Sequence, residues 1–181
     1  DASTPEPIPR GIVVEDGDPV DLPVFIRGDH TNKAALDVPR GYLTVLADAL
    51  PAPTIDESGS GRLQLARWIV DPANPLTSRV AVNRIWNGHF GRGIVATPSN
   101  FGTRGATPTH PELLDWLARR FMDDGWSVKE MHRLVMNSAT YRMSGAGSRH
   151  AMEIDPENTL LWHHSPRRLE AEPIRDAILA V

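Results

Sequence analysis

The chain contains no cysteine, which excludes a disulfide framework, an iron–sulfur or cysteine-type zinc site and covalent haem attachment within it. The compartment stays open, because an oxidising environment permits disulfides without requiring them. No run of about 18 apolar residues occurs, so no segment reads as a membrane-spanning helix. The N-terminus carries no charged-then-apolar signal peptide. Lysine is nearly missing as well, since 17 of the 19 basic residues are arginine. Arginine presents planar bidentate forks to carboxylates or phosphates, although compositional bias with structural ion pairs accounts for the excess. Catalytic signatures are also lacking: there is no Gly-x-Ser-x-Gly, no P-loop, no His-Glu-x-x-His and no pair of carboxylates at a telling spacing. Nothing in the sequence compels catalysis.

What is present suits one domain of ordinary size, or one domain with an appendage, in 181 residues. A domain of this length buries enough surface to fold without a metal or disulfide. The 16 prolines and 14 glycines call for long irregular segments beside a core. The net charge of −4 is uneven: residues 1–61 hold 11 acids and 4 bases, and residues 62–181 hold 12 acids and 15 bases. That surplus is too weak for a nucleic-acid footprint. The chain starts at Asp1 and stops at Val181 in a helix-like run, which reads as a piece of a longer protein.

Residues 1–61 hold eight of the prolines and no tryptophan, and read as an extended Pro-rich arm and linker. Asp1–Arg10 is an extended or disordered lead-in. Ile12–Val14 and Val24–Ile26 are short β-branched or aromatic runs flanked by Gly, Asp and Pro, and each predicts a short strand. Arg27-Gly28-Asp29 spells an adhesion tripeptide, a combination common by chance and expected here as a turn. The apolar run Tyr42, Leu43, Val45, Leu46 is expected to dock on the main body. Pro51–Gly61 is a linker by composition, and a domain boundary is expected there.

Residues 62–181 read as a helical domain, truncated at its C-terminus. Ser60 predicts a cap for a helix burying Leu63, Ala66, Ile69 and Val70, which ends at Asp71 because Pro72 follows. Thr77 predicts the cap of a second helix, with Val82, Ile85, Trp86 and Phe90 inward and Gly91 as its stop. Thr109-x-x-Glu112 is a capping box with Pro111 in the first turn, opening a helix with Leu113, Leu114, Leu117 and Phe121 inward and Gly125 at its end. Ser127-x-x-Glu130 is another, with Trp126 and Met131 at the positions of a hydrophobic staple; its helix buries Met131, Leu134 and Val135. Met143–Asp155 is polar and expected to be mobile. A short helix is predicted from Asp155-Pro156-Glu157 to Trp162, and a last one from Arg167 to Val181, kinked or restarted at Pro173. The expected fold is mainly α, about five helices in an orthogonal or irregular bundle, with an arm carrying one or two short strands.

The loop Gly91–Pro108 spans eighteen residues, where helix–helix connections usually take roughly 2–8. Gly91-Arg92-Gly93-x-x-Ala96 matches a dinucleotide fingerprint in form, but a helix precedes it where a strand is required. The structural expectation is an ordered loop packing Ile94, Val95 and Phe101 onto the helices. Of the seven histidines, none stands at i, i+4 from another on one helix. His163 and His164 are adjacent, so their side chains diverge. His89 and His132 read as hydrogen-bonded core residues, with His132 a weak metal candidate. His110, at a helix start beside the loop, is the most available; with Glu112 or Asp115 it makes an acid/base or metal set. If the chain is an enzyme, the candidates are His110, Arg104, Tyr141 and Arg84. Asn83, Arg84, Asn87, Tyr141 and Arg142 otherwise tie loop to helices, because buried Arg and Asn demand partners.

The string Leu65-Ala66-Arg67-Trp68-Ile69-x-Asp71-Pro72-x-Asn74-Pro75-Leu76-Thr77-x-Arg79 leads into Val82-Asn83-Arg84-Ile85-Trp86. After it come His89-Phe90-Gly91-Arg92-Gly93, Thr97-Pro98-Ser99-x-Phe101-Gly102, and Thr109-His110-Pro111-Glu112-Leu113-Leu114-Asp115-Trp116-Leu117-Ala118. Gly125-Trp126-Ser127, His132-Arg133, Ser138-x-Thr140-Tyr141-Arg142 and Arg167-Arg168-Leu169-Glu170-Ala171-Glu172 complete the series. In these motifs the chain, over roughly Pro23–Val181, resembles the planctomycete-specific domain family (domain of unknown function 1553). The resemblance implies a large secreted, periplasmic or cell-surface protein, with a cytochrome c-like domain and a second uncharacterised domain upstream, and lectin-like modules in some members. It also implies a domain continuing past Val181, and Pro173 stands where the family more often has a helix-compatible residue. No catalytic residue is carried over from the family.

The expected function is a non-catalytic binding or scaffolding module, partnered by upstream domains of the same protein or by glycan, with no cofactor or metal held in this chain. An extracytoplasmic hydrolase of polysaccharide with its site at the 91–110 loop is the alternative, and a structural part of an envelope assembly is the third reading. A groove lined with Trp and Tyr favours glycan binding, and a pocket of converging ionisable groups favours an enzyme.

Overall fold

The structure, a computed structural model, describes residues 13–56 and 59–180. The chain divides into two compact units, Asp1–Ala73 and Asn74–Val181.

In the first unit, strands β1 (Leu22–Phe25) and β2 (Lys33–Val38) form an antiparallel pair, with Leu22 opposite Val38 and Phe25 opposite Lys33. Their connection turns at Arg27 and Gly28, both at positive φ, and Asp29 accepts hydrogen bonds from the Thr31 backbone N–H and hydroxyl. The Arg-Gly-Asp sequence is thus a turn. Val13 and Val14 form no strand, so the strand expected at Ile12–Val14 is not made over its described part; Ile12 and the Asp1–Arg10 lead-in lie outside the described residues. Arg40 donates to Asp21 through Nε at 3.0 Å and to the Gly59 carbonyl, which ties the strands to the segment expected as a linker. Helix α1 (Arg62–Ile69) buries Trp68 rather than the expected face, and Leu63, Ile69 and Val70 are exposed. Trp68 is the residue with an aromatic partner, the Tyr42 ring at 5.4 Å. Leu43 and Val45 are exposed, and the buried residue of their segment is Leu50.

The second unit contains five helices among the described residues: α2 (Thr77–Phe90), α3 (Pro111–Asp123), α4 (Val128–Met136), α5 (Arg149–Ile154) and α6 (Ala171–Leu179). Val82, Trp86 and Phe90 of α2 meet Leu114, Leu117, Ala118 and Phe121 of α3 and Met131 and Val135 of α4 in one buried cluster. Asn74, not Thr77, caps α2: its Oδ1 accepts the N–H groups of Leu76 and Thr77, and Thr77 is already helical. Gly91, at φ +81°, ends the helix as its left-handed C-cap. The Thr109–Glu112 box is not formed, because the Thr109 N–H and hydroxyl both donate to the Ile94 carbonyl, leaving His110 as the residue before α3. Ser127 does cap α4, accepting from the Glu130 N–H, and Trp126 packs edge-on against Phe121 at 5.3 Å.

The stretch expected to be mobile holds α5, capped by Ser148. The helix expected from Asp155 is replaced by turns. Asp155 accepts from the N–H groups of Thr159 and Leu160, and Asn158 and Leu161 take positive φ, which no helix continues through. Helix α6 starts at Ala171 rather than Arg167, which puts Pro173 in the first turn, where the missing N–H has no intrahelical acceptor to lose. No kink results there.

The long loop is part of the core. Asn83, at 0% exposure, donates through Nδ2 to the Val95 carbonyl at 3.0 Å and accepts the Val95 N–H at 2.8 Å, while Ile94 and Val95 are buried beside it. Gly93 makes room for this clamp: a β-carbon there would lie 2.7 Å from Asn83 Nδ2. Further along, the Thr97 hydroxyl bridges the Asn100 carbonyl and the Ala106 N–H.

Candidate functional site

The last turn of α2 brings His89 to the surface four residues after Ile85, just before Gly91 redirects the chain. Met131 is buried in α4, which leaves the next residue, His132, exposed at the helix edge. The two imidazoles meet with His89 Nε2 and His132 Nδ1 2.7 Å apart, so one ring donates a proton and the other accepts it. Tyr141 stands edge-on to His89 with ring centroids 5.4 Å apart. Tyr141 is fixed in turn by Ser138, whose hydroxyl donates to the Val135 carbonyl and accepts the Tyr141 N–H.

The segment after α5 supplies the other wall. Asn158 donates to the His163 carbonyl and the Ser165 hydroxyl, and the His164 N–H donates to the Ser144 carbonyl. As expected for neighbours, the two histidines diverge: His163 packs on Trp162 at 4.0 Å, and His164 turns to Tyr141 at 5.1 Å and Phe90 at 6.0 Å. Arg167 then crosses the end of α2, donating to the Asn87 carbonyl, which also accepts the Gly91 N–H, and to the Gly88 carbonyl. Its stem lies against Gly91, where a β-carbon would come within 3.2 Å of Arg167 Cδ.

These residues surround a cleft of about 390 Å³ lined by His89, Tyr141, His164, Arg167, Arg168 and Glu170 among others. That is the size range of small-ligand sites. Burial holds the His89 pKa below the usual 6.5, and the nearby charges of His132 and Arg167 push it the same way. His89 is therefore neutral at pH 7, able to accept a proton at one nitrogen. Among the described residues no group of three or more His, Asp or Glu side chains is arranged to hold a metal ion.

The expected candidates divide. Tyr141 and His132 belong to this cluster. Arg84 is exposed on α2, Arg104 is exposed in the loop, and His110 is half-buried with Nδ1 2.9 Å from the Thr109 hydroxyl. Among the described residues, none of those three makes a hydrogen bond or ring contact with Tyr141 or His132. His164 and Arg167 complete a cluster that spacing alone does not announce. A usable signal was present, however: His89 and Arg167 both sit beside chain-redirecting residues, Gly91 and Pro166, where polar side chains gather at the ends of elements.

The sequence pattern of PSD1, described as a protein of unknown function (DUF1553), matches residues 61–181. The chain belongs to the PSD1 family. No curated protein and no solved structure matches it. The PSD1 match takes in every residue of the cleft, together with the Asn83 clamp and α1. No helix among the described residues is long and apolar enough to cross a membrane.

Proposed function

We propose that the helical unit is a binding module for an acidic ligand, with the His89 cleft as its site. The observation that carries this reading is the seating of Arg167. Its Nη1 caps the carbonyls at the end of α2, which immobilises the guanidinium in a cleft lined by two imidazoles, His89 and His164, and the Tyr141 phenol. Among the described residues no carboxylate pairs with Arg167 or Arg168. A held guanidinium with free N–H groups suits the planar fork of a carboxylate. The ring edges around it carry partial positive charge, which also favours an anion. In the extracytoplasmic setting that the resemblance implies, with cytochrome c-like domains upstream, the ligand class is a uronic acid of an extracellular polysaccharide.

The test compares galacturonate with galactose, which share a ring and differ in the carboxylate, by calorimetric titration of the 181-residue chain. Galacturonate is expected to bind and galactose to leave the cleft empty. Arg167→Gln weakens galacturonate about tenfold, the usual scale of one charge-assisted hydrogen bond. Equal affinities for the two sugars, or no response to either, would overturn the reading.

One observation favours a second reading, hydrolysis of the bound polymer. His89 is held neutral and shares a proton with His132, an arrangement suited to a general base. Release of reducing ends from polygalacturonate, lost in His89→Gln, supports it; a substrate that binds and stays intact leaves the binding module alone.

A further inference from the structure

A larger groove, about 600 Å³, lies between α3 and α4 with Trp86 in its lining. Its floor is apolar, made by Trp86, Leu117 and Val135, all buried. Trp116 stands at its edge with 54% of its surface exposed, and it is the one lining residue that is both large, apolar and exposed. A groove built for an amphipathic helix presents a stripe of such residues at helical spacing. This one presents a single aromatic face.

The polar residues around that face differ in kind from those of the cleft. Arg120 of α3 donates through Nε to Asp124, the C-cap of that helix, at 2.9 Å, and Arg133 donates to Glu130 on α4. Two guanidiniums face two carboxylates, so the charges cancel and the groove offers an anion no net attraction. Asn137 adds a carboxamide that both donates and accepts. A ligand suited to this rim must itself donate and accept at several points while carrying no charge. Hydroxyl groups do this. The same ligand needs a flat apolar face for Trp116, and the C–H face of a pyranose ring, slightly positive, meets the negative face of an indole.

We propose that the Trp116 groove binds a neutral oligosaccharide of pyranose units with equatorial hydroxyls, one ring stacked on Trp116 and its hydroxyls shared between the Arg120–Asp124 and Arg133–Glu130 pairs. This site stands apart from the acidic-ligand reading of the cleft and uses none of its residues. The volume lies within the range of about 300–1,000 Å³ of small-ligand sites.

The probe is cellohexaose, titrated into the 181-residue chain with calorimetry and indole fluorescence as readouts. Cellohexaose is expected to bind and to shift the emission of an exposed tryptophan. Trp116→Ala is expected to weaken it by about tenfold or more, and Trp116→Phe by less, the scale on which an exposed aromatic anchor contributes to recognition. Circular dichroism and galacturonate affinity remain as in the parent chain for both variants, because Trp116 is neither core nor cleft. Binding that survives Trp116→Ala overturns the proposal, as does failure of cellohexaose and xylohexaose alike to bind at millimolar concentration. A concentration-dependent dimer abolished by Trp116→Ala, with no sugar bound, would also overturn it and make the groove a self-association face.

Discussion

The His89 cleft and the Trp116 groove share helix α2 and differ in charge. Trp86 lines the groove, Phe90 stacks on Trp86 at 4.2 Å, and Phe90 in turn meets Tyr141 and His164 of the cleft. Two buried rings therefore separate a cationic site from a neutral one. Among the described residues the cleft's guanidiniums form no ion pair, although Glu170 shares the lining, whereas the groove gathers guanidiniums already matched to carboxylates. Counting arginines does not distinguish the two, since each holds two. Whether each one is ion-paired with a carboxylate, among the described residues, does.

The largest expected effect erases the contrast altogether. Asn83→Ala orphans the buried Val95 N–H and carbonyl, and is expected to cost about 3 kcal/mol, weakening cleft and groove together. Urea unfolding with a cost under about 1 kcal/mol would mean that the loop is not part of the core. Next comes Arg167→Gln, which separates the sites: about tenfold weaker galacturonate, with cellohexaose unaffected. Ser127→Ala sharpens the comparison from the side of stability. Loss of this cap is expected to lower stability by about 1 kcal/mol and to leave both affinities alone, so that a change in either would tie ligand binding to the start of α4.

A smaller effect distinguishes the sites by pH. Because the folded pKa of His89 lies below 6.5, the unfolded chain takes up that proton first. The contribution is fully present above the unfolded value and is lost as pH falls through the folded one. Thermal stability is expected to fall as pH falls through that window, less so in His89→Asn, against a background of His132, His164 and Arg167 that both chains share. Galacturonate affinity should move the opposite way, rising as pH falls, because a bound carboxylate favours the imidazolium. Cellohexaose affinity should stay flat. An equal response of both sugars would break the distinction. The smallest effect is Tyr141→Phe, expected to change stability by under about 0.5 kcal/mol while lowering galacturonate affinity if the hydroxyl meets the ligand.

The parts of the fold legible from sequence are those where local signals agree. Apolar spacing and a glycine stop marked α2 and α3, and Ser127 with Glu130 marked the start of α4. Where a side chain had a distant competitor, local reading failed. Thr109 spends its hydroxyl on Ile94 fifteen residues away instead of on its own helix. β2 contains Ala34-Ala35 and a single β-branched residue, so nothing in its composition announces a strand. α5 is hidden in a Gly- and Ser-rich stretch that also supplies its cap. In α1 the helix was legible and its inward face was not, because the deciding contact is Tyr42 against Trp68. The cleft was half legible for the same reason. Tyr141 stands out as a polar residue near a core and His132 as a core histidine, whereas the partnership of His89 with His132 spans 43 residues and two helices.

The clamp of Asn83 on Val95 has a dynamic consequence. Backbone amides in an eighteen-residue loop would ordinarily exchange their hydrogens with solvent through local opening, far faster than those of the helices around them. The Val95 amide is bonded to a fully buried carboxamide in the middle of α2, so releasing it means pulling that side chain out of the core. Its exchange is therefore expected to track global unfolding, in contrast to the exposed Thr103 and Arg104 further along the same loop.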